Sequence, residues 1–182
     1  MEQGSSVSDR RTELLELLDR SGASLFALLT RLTLREDVAE ELMQELFLRL
    51  HGTREQGGID CWYAYARRTA INLAFDWRRR QRNCRSCPLD ESLELTAPVG
   101  LPLSRLIEAE ELEQVLAALG RLRGVSREAF VLRYIQQESY EEIARQLGKT
   151  PHHVRALCSR AMNTLRTQVL KDGKEVQHVE DE

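Results

Sequence analysis

Residues 139–166 read SYEEIARQLGKTPHHVRALCSRAMNTLR, and this stretch decides the fold class. Ser139 opens a capping box: its hydroxyl can hold an amide of the first helical turn while Glu142 reaches back to the helix start. Ile143, Ala144 and Leu147 mark a buried stripe. Gly148 ends the helix, because it takes the left-handed backbone that other residues resist. Thr150 and Pro151 read as the next N-cap and first helical residue. Val154, Leu157, Cys158, Ala161 and Leu165 recur at helical spacing as an inward face. His152, His153, Arg155, Ala156, Ser159, Arg160 and Asn163 point the other way. Two short helices joined by a tight turn form a helix-turn-helix, whose second helix can enter a major groove. An ordinary helical hairpin with a solvated basic face shares the apolar pattern. Charge favours the first reading: residues 145–171 hold six Lys or Arg and no Asp or Glu. Solvated helices usually mix signs, whereas a one-signed face suits a phosphate backbone.

The same segregation runs along the chain, although the net charge of its 182 residues is only −3. Residues 1–60 hold seven basic and twelve acidic side chains, and residues 67–85 hold seven arginines against one aspartate. Residues 88–114 swing back, with one arginine and seven acids. Two basic blocks separated by acidic ones predict two contact surfaces for a polyanion and an acidic surface for another partner. Aromatics make up only 5% and helical periods dominate, so the expected fold is all-α.

Outward from the helix-turn-helix, the pattern divides the chain into two small helical domains joined by a flexible linker. The first covers 11–85, after a polar start at 1–10 expected to be loose. It opens with a helix at about 11–19, interrupted at Gly22 and resumed through Leu25, Phe26, Leu28, Leu29 and Leu32. A helix over about 35–50 buries Val38, Leu42, Leu46 and Leu50, leaving Asp37, Glu41, Gln44 and Leu48 on another face with Glu45 beside them. Residues 51–60, with three glycines, read as a loop. A helix over about 61–82 turns Trp62, Ala66, Thr69, Leu73 and Trp77 inward, and places Arg67, Arg68, Asn72, Phe75 and Arg79 elsewhere. It closes on Arg78, Arg79 and Arg80, more cations than a helix C-terminus needs. Residues 86–103, with Pro88, Pro98, Gly100 and Pro102, form the linker. The second domain, 104–170, begins with a stripe of Ala109, Leu112, Leu116 and Leu119. Ser126 then caps a helix carrying Phe130, Val131, Tyr134 and Ile135, and the helix-turn-helix completes the module. Residues 171–182 read as a disordered tail.

At this point the chain resembles the bacterial sigma factors of the small, extracytoplasmic-function (ECF) type, over about residues 25–170. Three motifs carry the resemblance. ELMQELFLRL (41–50) is similar to the family's helix that binds the RNA polymerase core, NLAFDWRRR (72–80) to the end of the helix that engages the −10 promoter element, and SYEEIA (139–144) with Leu147, Gly148 and 154–161 to the module that reads the −35 element. The resemblance implies a factor that joins core polymerase, directs it to promoters and assists opening of the duplex. It implies core contacts, on the β′ and β subunits, at Glu41, Gln44 and Glu45. It implies −10 contacts at Arg68, Asn72, Arg78, Arg79 and Arg80, with the pocket for a flipped base in about residues 52–60. It implies −35 contacts at His152, His153, Arg155, Ser159 and Arg160. An anti-sigma factor is a common further partner in the family, and the sequence leaves open whether this chain has one. Two departures stand out. Where the family opens the helix before the helix-turn-helix with Leu-Pro, this chain has Leu122-Arg123, so that loop is expected to differ. His152 and His153 replace small residues, so the family's −35 preference does not carry over.

The competing readings are a helix-turn-helix regulator acting without polymerase, an anti-sigma-like binding protein, and an enzyme. The 41–50 motif argues against the first, and two separated basic blocks argue against the second. No phosphate loop, zinc-protease motif or nucleophile setting supports the third, and no cofactor or metal is expected. Cys84 and Cys87 form a lone C-x-x-C with no further ligands at metal spacing. The start of the sequence lacks the apolar stretch of a signal peptide, and no run is long enough for membrane insertion, so the expected location is cytoplasmic.

Overall fold

The computed structural model describes residues 3–53, 59, 61–85 and 103–177, with side chains at 12, 14–53, 59, 61–83 and 111–168. Among them are seven α-helices and no strand, as the periodicity requires. The first module contains α1 (Gln3–Thr33), α2 (Glu36–Thr53) and α3 (Trp62–Arg85), each packed on the other two. α1 departs from expectation, because it neither stays loose before residue 11 nor breaks at Gly22. A Cβ at Gly22 would meet nothing, so no packing demand shapes that position. Leu14 and Leu25 are both buried, and eleven residues is three helical turns, so one apolar face runs through the glycine. A mid-helix Gly costs about 1 kcal/mol, less than burying the leucines on either side supplies.

Val38, Leu42, Leu46 and Leu50 of α2 are buried as expected, together with Ala39. On α3, Ala66, Thr69 and Leu73 are buried, and Trp62 and Trp77 pack against the core at its edge. Arg67 and Phe75, expected away from the core, are also buried, at 3% exposure each. α3 is therefore covered on two sides, one by α1 and α2 and the other by the second module.

That module contains α4 (Leu103–Gly120), α5 (Gly124–Phe130), a π-helical turn (Val131–Ile135), α6 (Tyr140–Leu147) and α7 (Pro151–Gln177). The proposed 86–103 linker lies outside the described residues up to 102. Leu116 and Leu119 of the α4 stripe are buried, whereas Leu112 is 44% exposed and Ala118 takes an inward place. Ser126 is not a cap: α5 begins at Gly124, and Arg123 precedes it in extended backbone with no side-chain capping bond. This is the loop where Leu122-Arg123 departs from the expected Leu-Pro. α7 gathers α4, α5 and α6 around it through Val154, Leu157, Cys158, Ala161 and Leu165, all buried. Each large apolar side chain so buried contributes about 1.5–3 kcal/mol. The tail expected after 171 continues as helix to Gln177, and 178–182 lie outside the described residues.

Candidate functional site

The α6–α7 turn is built as the sequence dictates. Ser139 Oγ accepts the Glu142 amide at 3.1 Å, although the Glu142 carboxylate turns to Arg145 (2.7 Å). Gly148 adopts φ +60°, and its amide returns to the Ala144 carbonyl. Thr150 Oγ1 accepts the His153 amide at 3.2 Å, fixing the first turn of α7. His152, His153, Arg155, Ser159 and Arg160 are all exposed on one face of that helix. Arg155 lies over the Tyr140 ring at 5.0 Å, and Arg133 covers the same ring at 4.6 Å. Cation–π contact of this kind restrains a long side chain without removing its donors. Sequence reasoning passed over Tyr140, because its partners come from two other segments, the π-helical turn and α7. On the inner face, burial pushes the Cys158 thiol up from its ordinary pKa, as suits a packing residue.

α2 presents a second surface. Glu41 and Gln44 are exposed, Glu45 is half-buried and paired with Arg49 at 2.6 Å, and Leu48 is 68% exposed. Arg35 holds Asp37 below the ordinary carboxylate range by hydrogen bonding to it. The ridge is acidic with an exposed leucine at its crest, a surface that fits a basic partner with an apolar recess.

α3 carries the third surface, and here the structure rearranges the expectation. Arg79 and Arg80 are exposed, with Arg79 3.1 Å from Asp76. Arg78 is only 7% exposed: Nη1 donates to the Leu32 carbonyl at 3.2 Å and Nη2 pairs with Glu113. As placed, Arg78 staples the end of α1 to α3 and α4 rather than offering its charge to solvent. Arg68 Nε donates to Glu128 at 2.9 Å, and Asn72 Oδ1 accepts from Arg127 at 3.0 Å. Arg67, under the ring of Tyr63, pairs with Glu138. Burial raises the Glu128 carboxyl above its ordinary pKa, an effect that the nearby Arg68 only partly offsets.

Between the end of α2 and the middle of α3 lies a cleft of about 480 Å³, lined by Arg49, Gly52, Thr53, Tyr65, Arg68, Thr69 and Asn72. Tyr65 Oη meets Thr53 Oγ1 at 3.2 Å, and its ring stands edge-on to Trp62. An aromatic, an amide and two guanidinium groups around one recess form a chemistry suited to an unstacked base and its phosphate. Tyr65 packs against the edge of the core and also forms a wall of the cleft. Residues 54–58 and 60 of the adjoining loop lie outside the described residues, as do Cys87 and the side chain of Cys84.

A family model for sigma-70 region 2 matches residues 17–84, and one for sigma-70 region 4 matches residues 112–165. The chain is 29% identical over 139 residues to the probable RNA polymerase sigma factor RfaY of Xanthomonas campestris, covering 75% of this chain and 34% of that protein. It is 30% identical over 156 residues to the RNA polymerase sigma factor YlaC of Bacillus subtilis, covering 81% and 86% respectively. With the ECF RNA polymerase sigma factor SigX of the same species it shares 24% over 155 residues, covering 82% and 80%. Its fold is similar to that of a solved structure of CnrH in complex with the cytosolic domain of CnrY, with a TM-score of 0.52 at 22% identity over 92% of this chain and 94% of that one. Two helical modules, matched separately and in order, define a transcription initiation factor. The chain belongs to the sigma-70 family, as a sigma factor of the ECF type that directs RNA polymerase to promoters.

Proposed function

We propose that the three surfaces divide the work. The α2 ridge of Glu41, Gln44 and Glu45 docks on core polymerase, against the β′ and β subunits. Arg68, Asn72, Arg79 and Arg80 of α3, with the adjoining cleft, take the −10 strand as its bases leave the stack. The face of α7 reads the −35 element: Arg155 and Arg160 reach guanine edges or clamp phosphate, with His152, His153 and Ser159 beside them. The factor acts by binding, without catalytic chemistry of its own. Its place of work is the cytoplasm, where an anti-sigma protein would compete for the same faces. Among the described residues no helix is long and apolar enough to cross a membrane.

One observation carries this reading: the polar residues of α7 are exposed while the apolar residues interleaved with them are buried, so the helix is fixed from behind and free in front. Run-off transcription with purified core enzyme and a selected promoter pool tests it. Arg155→Ala with Arg160→Ala should weaken −35 binding and lower its salt dependence by about one counterion per lost phosphate contact. Glu41→Lys with Glu45→Lys should abolish core association while helicity is kept. Core association unaffected by reversal of the ridge would refute that assignment.

A further inference from the structure

Tyr140, the first residue of α6, is met by two arginines from outside its own helix. Arg133 of the π-helical turn lies 4.6 Å from the centre of its ring, and Arg155 of α7 lies 5.0 Å from it. The two are held unequally. Arg133 is half-buried, and its Nη1 also donates to the Glu138 carbonyl at 2.7 Å. Arg155 is exposed and makes no hydrogen bond or ion pair among the described residues, so the ring is what restrains it. Its guanidinium keeps all its donors for a ligand. Arg160, the other arginine assigned to the −35 face, is fixed differently: its Nε donates to the Ala156 carbonyl of its own helix at 3.2 Å.

We infer that Tyr140 is the positioning residue for Arg155: the face of its ring sets the guanidinium before DNA arrives, and the phenol hydroxyl plays no part. The inference rests on the reading of the α7 face as the −35 surface. In this role Tyr140 acts through Arg155 and not by touching the duplex itself.

The physical case is one of order gained early. An unrestrained arginine samples many rotamers, and immobilising it in an interface lowers affinity about two- to tenfold. A side chain already settled on a ring has given up much of that freedom beforehand, so less is lost at the contact. The electron-rich face of the ring attracts a guanidinium without using its N–H groups. Arg133 adds direction, because two like charges at one ring repel. Its bond to the Glu138 carbonyl holds it in place, so the repulsion falls on the exposed Arg155 and turns that charge toward solvent. The platform itself is firm: Tyr140 is half-buried against the core, and Ser139 caps the turn that it begins. Leucine at this position keeps an apolar body and loses the aromatic face, whereas phenylalanine keeps both.

The test is a double-mutant cycle on the full-length chain bound to core polymerase, with affinity measured for a duplex selected from a promoter pool. Tyr140→Leu should weaken binding about two- to tenfold, and Tyr140→Phe should bind as the wild type does. Arg155→Ala should also weaken binding. In the Arg155→Ala background Tyr140→Leu should cost nothing more, because the group that the ring positions is gone. Arg133 keeps its second anchor in every variant, so its contribution cancels. In NMR spectra of the free chain, the ring should shift the Arg155 side-chain protons upfield in the wild type and in Tyr140→Phe, and not in Tyr140→Leu. If Tyr140→Leu fails to fold by circular dichroism, Tyr140→Met takes its place in the cycle. Losses that simply add would overturn the inference, since a residue serving only the fold costs the same in both backgrounds. A Tyr140→Phe as weak as Tyr140→Leu would overturn it too, because the hydroxyl would then meet the DNA directly. Arg155→Ala that binds like the wild type refutes the −35 role of Arg155 itself, a failure separate from lost coupling, and removes the inference with it.

Discussion

Replacing Arg78 by Ala separates two roles that a surface arginine and a structural arginine would divide. The guanidinium donates to the buried Leu32 carbonyl at 3.2 Å, and hydrogen bonds from a charged donor contribute about 1.5–3 kcal/mol. Its ion pair with Glu113 adds little, because Glu113 is 56% exposed and solvent screens the attraction to about 0–1 kcal/mol. The expected loss for Arg78→Ala is therefore about 2–3 kcal/mol. With a urea slope of about 2 kcal/mol per molar, the unfolding midpoint should fall by roughly 1 M. Glu113→Ala, which leaves the carbonyl bond intact, should cost less than about 1 kcal/mol. Urea titration followed by circular dichroism measures both. The opposite pattern would refute the argument: an Arg78→Ala midpoint equal to wild type, with a salt slope of promoter binding reduced by about one, means that Arg78 serves phosphate and not the fold.

Gly148→Ala places a Cβ on a residue at φ +60° in open space, so its cost is backbone strain alone, about 1–2 kcal/mol. Gly148→Asn should lose less, and thermal unfolding of the two variants ranks them. Glu128 gives a pH signature. Its carboxyl is raised in the folded chain, so its favourable contribution is complete below the ordinary carboxylate pKa and is lost as pH rises through the raised value. Glu128→Gln should therefore flatten the pH dependence of the urea midpoint above the ordinary carboxylate range and leave neutral-pH stability equal or higher. A lower midpoint at neutral pH with the same pH slope would show that the Arg68 attraction outweighs burial.

What the sequence disclosed is what neighbours along a helix decide. The α7 stripe, the Gly148 stop, the Thr150 cap and the α2 ridge are local patterns, and the structure keeps each one. The errors fall where distant segments decide. Gly22 looked like a break, because an eleven-residue repeat from Leu14 to Leu25 is not visible inside a single short window. Ser126 looked like a cap by residue type, but the chain turns at Arg123. Arg67 and Phe75 looked external on α3, and they are so relative to the first module. Their cover comes from Glu138 and Arg127, about 50–70 residues downstream, beyond any periodicity. Arg78 shows the same limit: nothing in a run of three arginines says which one points inward.

The π-helical turn at Val131–Ile135 has a consequence for how such a chain evolves. The Gln136 amide reaches back five residues to Val131, and the Glu138 amide reaches the Leu132 carbonyl. Wider rings of this kind accommodate one residue more than an α-helix would. Excision of that residue would restore ordinary winding and remove the two wide rings that carry the backbone to Glu138, where it pairs with Arg67. A lineage that deletes a single codon here thus loses the setting of the Arg67–Glu138 pair while both side chains are still encoded.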